Sequence, residues 1–313
     1  MLEIILLIVG LALILCGASV MTDGASNLAK KFGISEFVVG LTVVAIGTSA
    51  PELIVTTMSA LKGNGDVAVG NVVGSNIFNT LLILGIVALI KPLEFTRNNI
   101  KKDIPYGVVA SLVLFFVASD SLFGEGINIV SRTEGMTLIV MFLMFMAYTI
   151  YSSKPDPADP SNTKAKNTFM LIGMTVAGLV MLVFGGNMFL DNAIIVAERA
   201  GISQKVIAIT LMSGGTSFPE LAACVVAAVK KRGNMALGNV IGSNISNIFL
   251  IIGTGATITP LTLGDIQPYD LLFVLGSSFI VFVSAFLFKG FKINRIEGAI
   301  FVALYVFYIV SIL

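Results

Sequence analysis

Thr48, Ser49 and Glu52 stand inside FVVGLTVVAIGTSAPELIVTTMSAL, a stretch otherwise apolar and long enough to cross a bilayer. Thr48 and Glu52 are four residues apart and Ser49 and Glu52 three, so on a helix all three share one face. Thr216, Ser217 and Glu220 repeat this set in GGTSFPE. Pro51 and Pro219 lack an N–H and clash with the carbonyl four residues back, which frees the oxygens of Gly47 and Gly215. A freed carbonyl at membrane depth is tolerated only against protein or a water-filled cavity. Each break therefore gathers carbonyl, hydroxyl and carboxylate oxygen at one place. In GNVVGSNIFN, Ser75 and Asn79 add a second polar stripe, and in GNVIGSNISN Ser243 and Asn247 match them.

These groups are all oxygen donors, and the chain has no histidine. Hard cations follow: Ca²⁺ takes 6–8 oxygens at about 2.3–2.6 Å, and Na⁺ has a similar size. Two facing carboxylates would neutralise one Ca²⁺, while several Na⁺ could spread over the same oxygens and the neighbouring hydroxyls and amides. Each intramembrane carboxylate costs roughly 2.5–3.5 kcal/mol, so a matched pair points to function. The competing reading is a pair of protonated structural hydrogen bonders. Asn71, Asn76, Asn239 and Asn244 either brace the broken helices or coordinate the ion, bracing being the expected role. Gly70, Gly74, Gly238 and Gly242 form small-xxx-small faces for close helix approach. If the site cannot cross empty, two ions that compete for it must exchange.

The elements that position these residues follow from composition. Of 313 residues, 56% are hydrophobic and 12% charged, about half the charge of a soluble domain, and mean hydropathy is +0.98. This predicts an all-α polytopic membrane protein embedded in the lipid bilayer. The net charge of +1 offers nothing to nucleic acid. Cys16 and Cys224 lie in apolar stretches, where membrane packing is the expected role. The first ten residues carry Glu3 and no basic segment, so they read as the start of a span and not as a removable signal.

Ten spans are predicted at 2–22, 37–61, 67–90, 104–119, 136–152, 168–190, 205–229, 235–262, 270–288 and 295–313. Fifteen of the 19 basic residues fall in the odd-numbered loops, which makes those loops cytoplasmic and both termini extracellular. A polar linker at 153–167 divides residues 1–152 from residues 168–313.

A shift of 168 residues lays 208–247 on 40–79 without a gap, with nineteen of forty positions identical. Five spans per half is an odd number, so the halves enter the membrane from opposite sides. The expected fold is two inverted five-helix repeats, an architecture typical of secondary transporters with a midplane site. Asp23 and Asp191 also match, and are expected as interfacial charges at helix ends.

The paired G-T-S-x-P-E and G-S-N-I-x-N signals resemble the two alpha-repeats of the cation/calcium exchanger superfamily, particularly its prokaryotic sodium/calcium exchangers. The resemblance implies a ten-helix antiporter in which spans two, three, seven and eight hold the ions while spans one and six slide. By position it makes Glu52 and Glu220 the central Ca²⁺ ligands, with hydroxyl or backbone oxygens from Thr48, Ser49, Thr216 and Ser217. Ser75 and Ser243 complete outer Na⁺ positions, with Asn79 and Asn247 beside the centre. The backbone carbonyls of Ala45 and Ser213 fall on two further Na⁺-ligand positions. Two departures from the family pattern stand out. Ser213 and Gly214 replace an Ala followed by a bulkier residue, and Asn247 stands where some potassium-dependent relatives carry Asp.

The expected function is Na⁺/Ca²⁺ antiport by alternating access at the cell membrane, extruding Ca²⁺. H⁺/Ca²⁺ or K⁺-dependent Na⁺/Ca²⁺ antiport is the alternative, and a passive Ca²⁺ channel fits the inverted repeat less well. No nucleophile–base pair or phosphate-binding loop suggests an enzyme, and neither a cofactor nor an obligate protein partner is expected.

Overall fold

Backbone N–H and C=O groups have no water to bond in a bilayer core, so apolar runs must satisfy them internally, as helices. The computed structural model of the chain describes residues 2–96, 99–124, 126–152, 167–201, 213–264, 266–287 and 292–312. In chain order its helices are α1 (Leu2–Phe32), α2 (Glu36–Thr48), α3 (Ala50–Leu61), α4 (Gly65–Ile90), α5 (Ile104–Val117), α6 (Arg132–Ser152) and α7 (Thr168–Arg199). They continue as α8 (Phe218–Val229), α9 (Gly233–Ile258), α10 (Pro268–Leu287) and α11 (Arg295–Ser311). Among the described residues six helices are long and apolar enough to cross a membrane, namely α1, α4, α6, α7, α9 and α10. The bent α2–α3 pair makes a seventh. The linker expected at 153–167 and the beginning of the span expected at 205–229 lie outside the described residues, apart from Asn167, which caps α7.

Two helices outrun their predicted ends. The spans expected to close at 22 and 190 continue to Phe32 and Arg199. Of the polar residues that end the hydropathy signal in α1, Thr22 and Ser26 are buried, Ser26 donates to the Glu36 carboxylate, and Asn27 donates to the Asp23 carbonyl at 2.7 Å. A 31-residue helix is about 46 Å long, more than the roughly 30 Å hydrocarbon core, so its end must tilt or emerge. Asp23 accordingly lies inside α1 and not at a helix end. Asp191 is likewise internal to α7, on an exposed surface.

Among the described residues one wide π turn, Asn99–Asp103, leads into α5, and three interrupt helices, at Gly40–Val44, Phe78–Ile83 and Asn247–Ile252. The last two occupy matching places in α4 and α9, and such turns recur at functional sites.

Packing links the two halves of the chain reciprocally. The C-terminal part of α4 packs on α11 and that of α9 on α6, while α5 meets α10 and α1 meets α7. Four two-residue strands do the same. β1 (Leu93–Glu94) pairs antiparallel with β4 (Lys292–Ile293), and β2 (Ile129–Val130) with β3 (Leu261–Thr262). The main apolar core gathers α4, α9 and their neighbours, whereas α1 and α7 pack with part of α2 and α8 in a second cluster. A Cβ on Gly238 or Gly242 would come within 2.2 Å of the Phe37 carbonyl oxygen or 2.3 Å of that of Leu41, so α2 lies directly on α9. Both cysteines are free; Cys224 is buried, whereas Cys16 is exposed on the surface of α1.

Candidate functional site

Both broken helices restart just before a carboxylate. α2 ends at Thr48 and α3 begins at Ala50 after a 46° bend, with Pro51 in its first turn, where a missing N–H costs least. In the second half a short helix at Ser213–Gly215 gives way to a turn, and α8 begins at Phe218 with Pro219 in its first turn. Glu52 and Glu220 thus each occupy the first turn of a half-helix, where the helix dipole favours negative charge.

The two breaks lock together across the halves. Ser49 Oγ donates to Glu220 Oε1 at 2.9 Å, and Ser217 Oγ donates to Glu52 Oε1 at 2.8 Å. Ser75 Oγ donates to the same Glu52 oxygen at 3.4 Å and lies 3.4 Å from Thr216 Oγ1. The Ser49 and Ser217 hydroxyls thus each read the carboxylate of the opposite half, while Ser75 reads that of its own. Both carboxylates are fully buried.

One oxygen of each carboxylate is left over. Glu52 Oε2 and Glu220 Oε2 are buried without a hydrogen-bonding partner among the described residues, as are Ser243 Oγ, both amide atoms of Asn79 and the amide oxygen of Asn247. An unmatched buried oxygen costs about 1–3 kcal/mol, more when charged, so the two leftover carboxylate oxygens suit a ligand that supplies positive charge. Among the described residues no cluster of three or more His, Cys, Asp or Glu exists. The site is two carboxylates supported by neutral oxygens, and that donor set fits a hard cation and not a soft one.

Four asparagines form the frame. Asn71 Nδ2 donates to the Glu52 carbonyl at 3.4 Å and to Thr56 Oγ1 at 3.2 Å, while its oxygen accepts from Thr216 at 3.3 Å. Asn239 accepts from Thr48 at 3.3 Å and donates to Cys224 Sγ at 3.2 Å. Asn76 reaches the Asn244 carbonyl at 3.3 Å and accepts from Asn247 at 3.0 Å, and Asn244 donates to Thr80 at 2.6 Å. These contacts are bracing ones. Thr56, Thr80 and Cys224 take part without any sequence signal, because they bind frame residues and not the centre.

Of the twelve residues singled out in the sequence, Glu52, Ser75, Thr216 and Ser217 form one hydrogen-bonded group and Ser49 and Glu220 a second. Asn247 joins the asparagine frame, and Thr48 reaches it through Asn239. Asn79 and Ser243 are fully buried beside these elements with no side-chain partner of their own among the described residues. The Ala45 carbonyl accepts from Ser49 N–H at 3.0 Å and from Thr48 Oγ1 at 3.3 Å. Ser213 is the first described residue before the second break, in the Ser213–Gly215 helix.

The chain is similar to known proteins in sequence and in fold. A family model described as sodium/calcium exchanger protein matches residues 2–151 and 170–313. The sodium/calcium exchanger MaX1 of Methanosarcina acetivorans is 32% identical over 98% of this chain and 97% of its own length. The inner membrane protein YrbG of Escherichia coli is 33% identical over 84% of this chain and 81% of its own. Among solved structures, the sodium-calcium exchanger NCX_Mj soaked with Na⁺ and Ca²⁺ superposes with a TM-score of 0.84 at 32% identity, covering 99% of this chain and 98% of that one.

Proposed function

Because this chain belongs to the sodium/calcium exchanger protein family, we propose that it is an antiporter that exchanges Na⁺ for Ca²⁺ across the cell membrane by alternating access, extruding Ca²⁺. The observation that carries this reading is the crossed pair Ser49–Glu220 and Ser217–Glu52, with a second, unpartnered oxygen on each carboxylate.

In this reading Ca²⁺ lies between Glu52 and Glu220, which cancel its charge. Thr48, Ser49, Thr216 and Ser217 add oxygens, Ser75 and Ser243 serve outer Na⁺ positions, and Asn79 and Asn247 lie beside the centre. The carbonyls of Ala45 and Ser213 complete Na⁺ coordination once the bonds they hold in the helix relax. Two bare carboxylates inside a low-dielectric core carry a penalty of several kcal/mol per ion. Crossing empty is therefore slow, so Ca²⁺ released at one face must be replaced by Na⁺ bound from that same face before the site turns back.

The reciprocal packing of α4 with α11 and α9 with α6, and of β1 with β4 and β2 with β3, supports ten spans in two inverted halves, 1–152 and 168–313. A cytoplasmic linker at 153–167 and extracellular termini follow from the basic-residue bias.

Ca²⁺ uptake into proteoliposomes tests the function. Vesicles loaded with Na⁺ should take up Ca²⁺ and vesicles loaded with K⁺ should not. Uptake driven by a pH gradient alone would assign proton exchange instead, and uptake without any outward gradient would indicate a channel.

A further inference from the structure

α1 and α7 form a body of their own. They pack along each other with backbone nearly touching backbone: a Cβ on Gly17 would meet the Gly178 carbonyl oxygen at 2.8 Å, and one on Gly178 the Met21 nitrogen at 2.4 Å. Their apolar cluster is separate from the main core. Toward α8 they present small residues, Ala18, Ala25 and Ala29 against Ala222 and Ala223. A smooth seam between two rigid bodies suits sliding.

That seam is fastened at one end. Asp23 of α1 pairs with Lys230 Nζ at 2.8 Å and with Arg232 Nη2 at 3.1 Å. Lys230 also donates to the Ser19 carbonyl at 3.0 Å and hydroxyl at 2.7 Å, and Arg232 to the Thr22 carbonyl. Arg232 Nε lies 3.9 Å from Glu36, whose carboxylate accepts from Ser26 of α1. The turn from α8 into α9 is thereby tied to α1 by several charge-assisted bonds at once.

The matching end carries no such tie. Asp191 takes the place of Asp23, Lys62 that of Lys230 and Asn64 that of Arg232. Asp191 and Lys62 are exposed and form no ion pair among the described residues. Even the turn differs. Its left-handed residue is glycine in the first half, Gly63 with φ 77°, but Lys231 with φ 63° in the second. The site is exposed to match. Thr48 and Asn239, near the tied end, are buried, whereas their counterparts Thr216 and Asn71 are partly exposed.

We propose that Asp23, Lys230 and Arg232 form a one-sided latch that holds α1 against the α8–α9 turn and keeps the face beside Thr48 and Asn239 shut. By the basic-residue bias this is the cytoplasmic face. The latch biases the protein toward the state open on the other side, so an ion arriving from the cytoplasm must first break it. The inference rests on the antiporter reading for its consequence, but its test needs no ion flux.

The test is a distance measurement by pulsed EPR on the full chain in lipid nanodiscs, with spin labels at Phe32→Cys and Lys101→Cys and Cys16→Ala as background. Asp23→Asn should move about threefold or more molecules into a second distance population, and Arg232→Gln should do the same. Asp191→Asn should leave the distribution unchanged. If both latch variants keep the parent distribution, or Asp191→Asn shifts it equally, the latch is wrong. In exchange assays Asp23→Asn should lower the Ca²⁺ concentration giving half-maximal rate at the cytoplasmic face by a similar factor. A shifted distance distribution in a chain that exchanges no ions would refute the antiport reading while leaving the latch intact.

Discussion

At the scale of single residues, two buried carboxylates each share one oxygen with a serine of the other half and keep the second oxygen free for a cation. Glu52→Gln or Glu220→Gln removes one of the two negative charges while keeping the shape. Each is expected to abolish Ca²⁺ exchange, by on the order of 100-fold or more for the several kcal/mol that a buried charge pair carries, measured as uptake into Na⁺-loaded proteoliposomes. Normal exchange in either variant would remove the carboxylates from the mechanism. Ser217→Ala deletes a bond to a charged group, about 1.5–3 kcal/mol. It should weaken Ca²⁺ binding about tenfold or more by calorimetry, with the fold intact. These residues were legible in the sequence because acids and hydroxyls are conspicuous in apolar surroundings and recur at one shift. Thr56 and Cys224 were not legible, since a threonine or cysteine in a span is ordinary until its partner is known.

At the scale of elements, the prolines announced both breaks, and the structure adds what the breaks accomplish: each carboxylate lies in the first turn of a half-helix. Pro51→Ala restores the missing N–H and favours a continuous helix. The expected outcome is a folded protein with unchanged helix content by circular dichroism and Ca²⁺ exchange reduced at least about tenfold, since positioning errors of an ångström cost that much or more. Gly242→Ala places a Cβ 2.3 Å from the Leu41 carbonyl oxygen and should lower the melting temperature, consistent with an overpacking cost of about 1–3 kcal/mol. An unchanged melting temperature would mean that α2 does not lie on α9 as described. The π turns beside Asn79 and Asn247 were invisible in the sequence. A π turn needs no special residue; it arises where tertiary packing accommodates one extra residue in the turn. The ends of α1 and α7 were misjudged for a related reason, because hydropathy scores a residue without knowing whether Asp23 will find Lys230 and Arg232.

At the scale of the whole molecule, composition made a many-helix membrane protein readable, and the duplicated sequence pointed to the inverted halves proposed above. The departures from symmetry were not readable. Lys230, Arg232 and Asp23 are unremarkable as letters, and it is their meeting that helps distinguish one face from the other. The strand pairs have a consequence for how such a chain is made. β1 finds its partner in β4 and β2 in β3, so the earlier strand of each pair emerges from the ribosome long before the later one. An N-terminal fragment stopping at residue 152 would display two unsatisfied strand edges and the bare flank of α4 that α11 covers. Such a fragment should be degraded when expressed alone and rescued when residues 168–313 are supplied as a separate polypeptide, so that quality control of biogenesis is postponed until the final helix has been inserted.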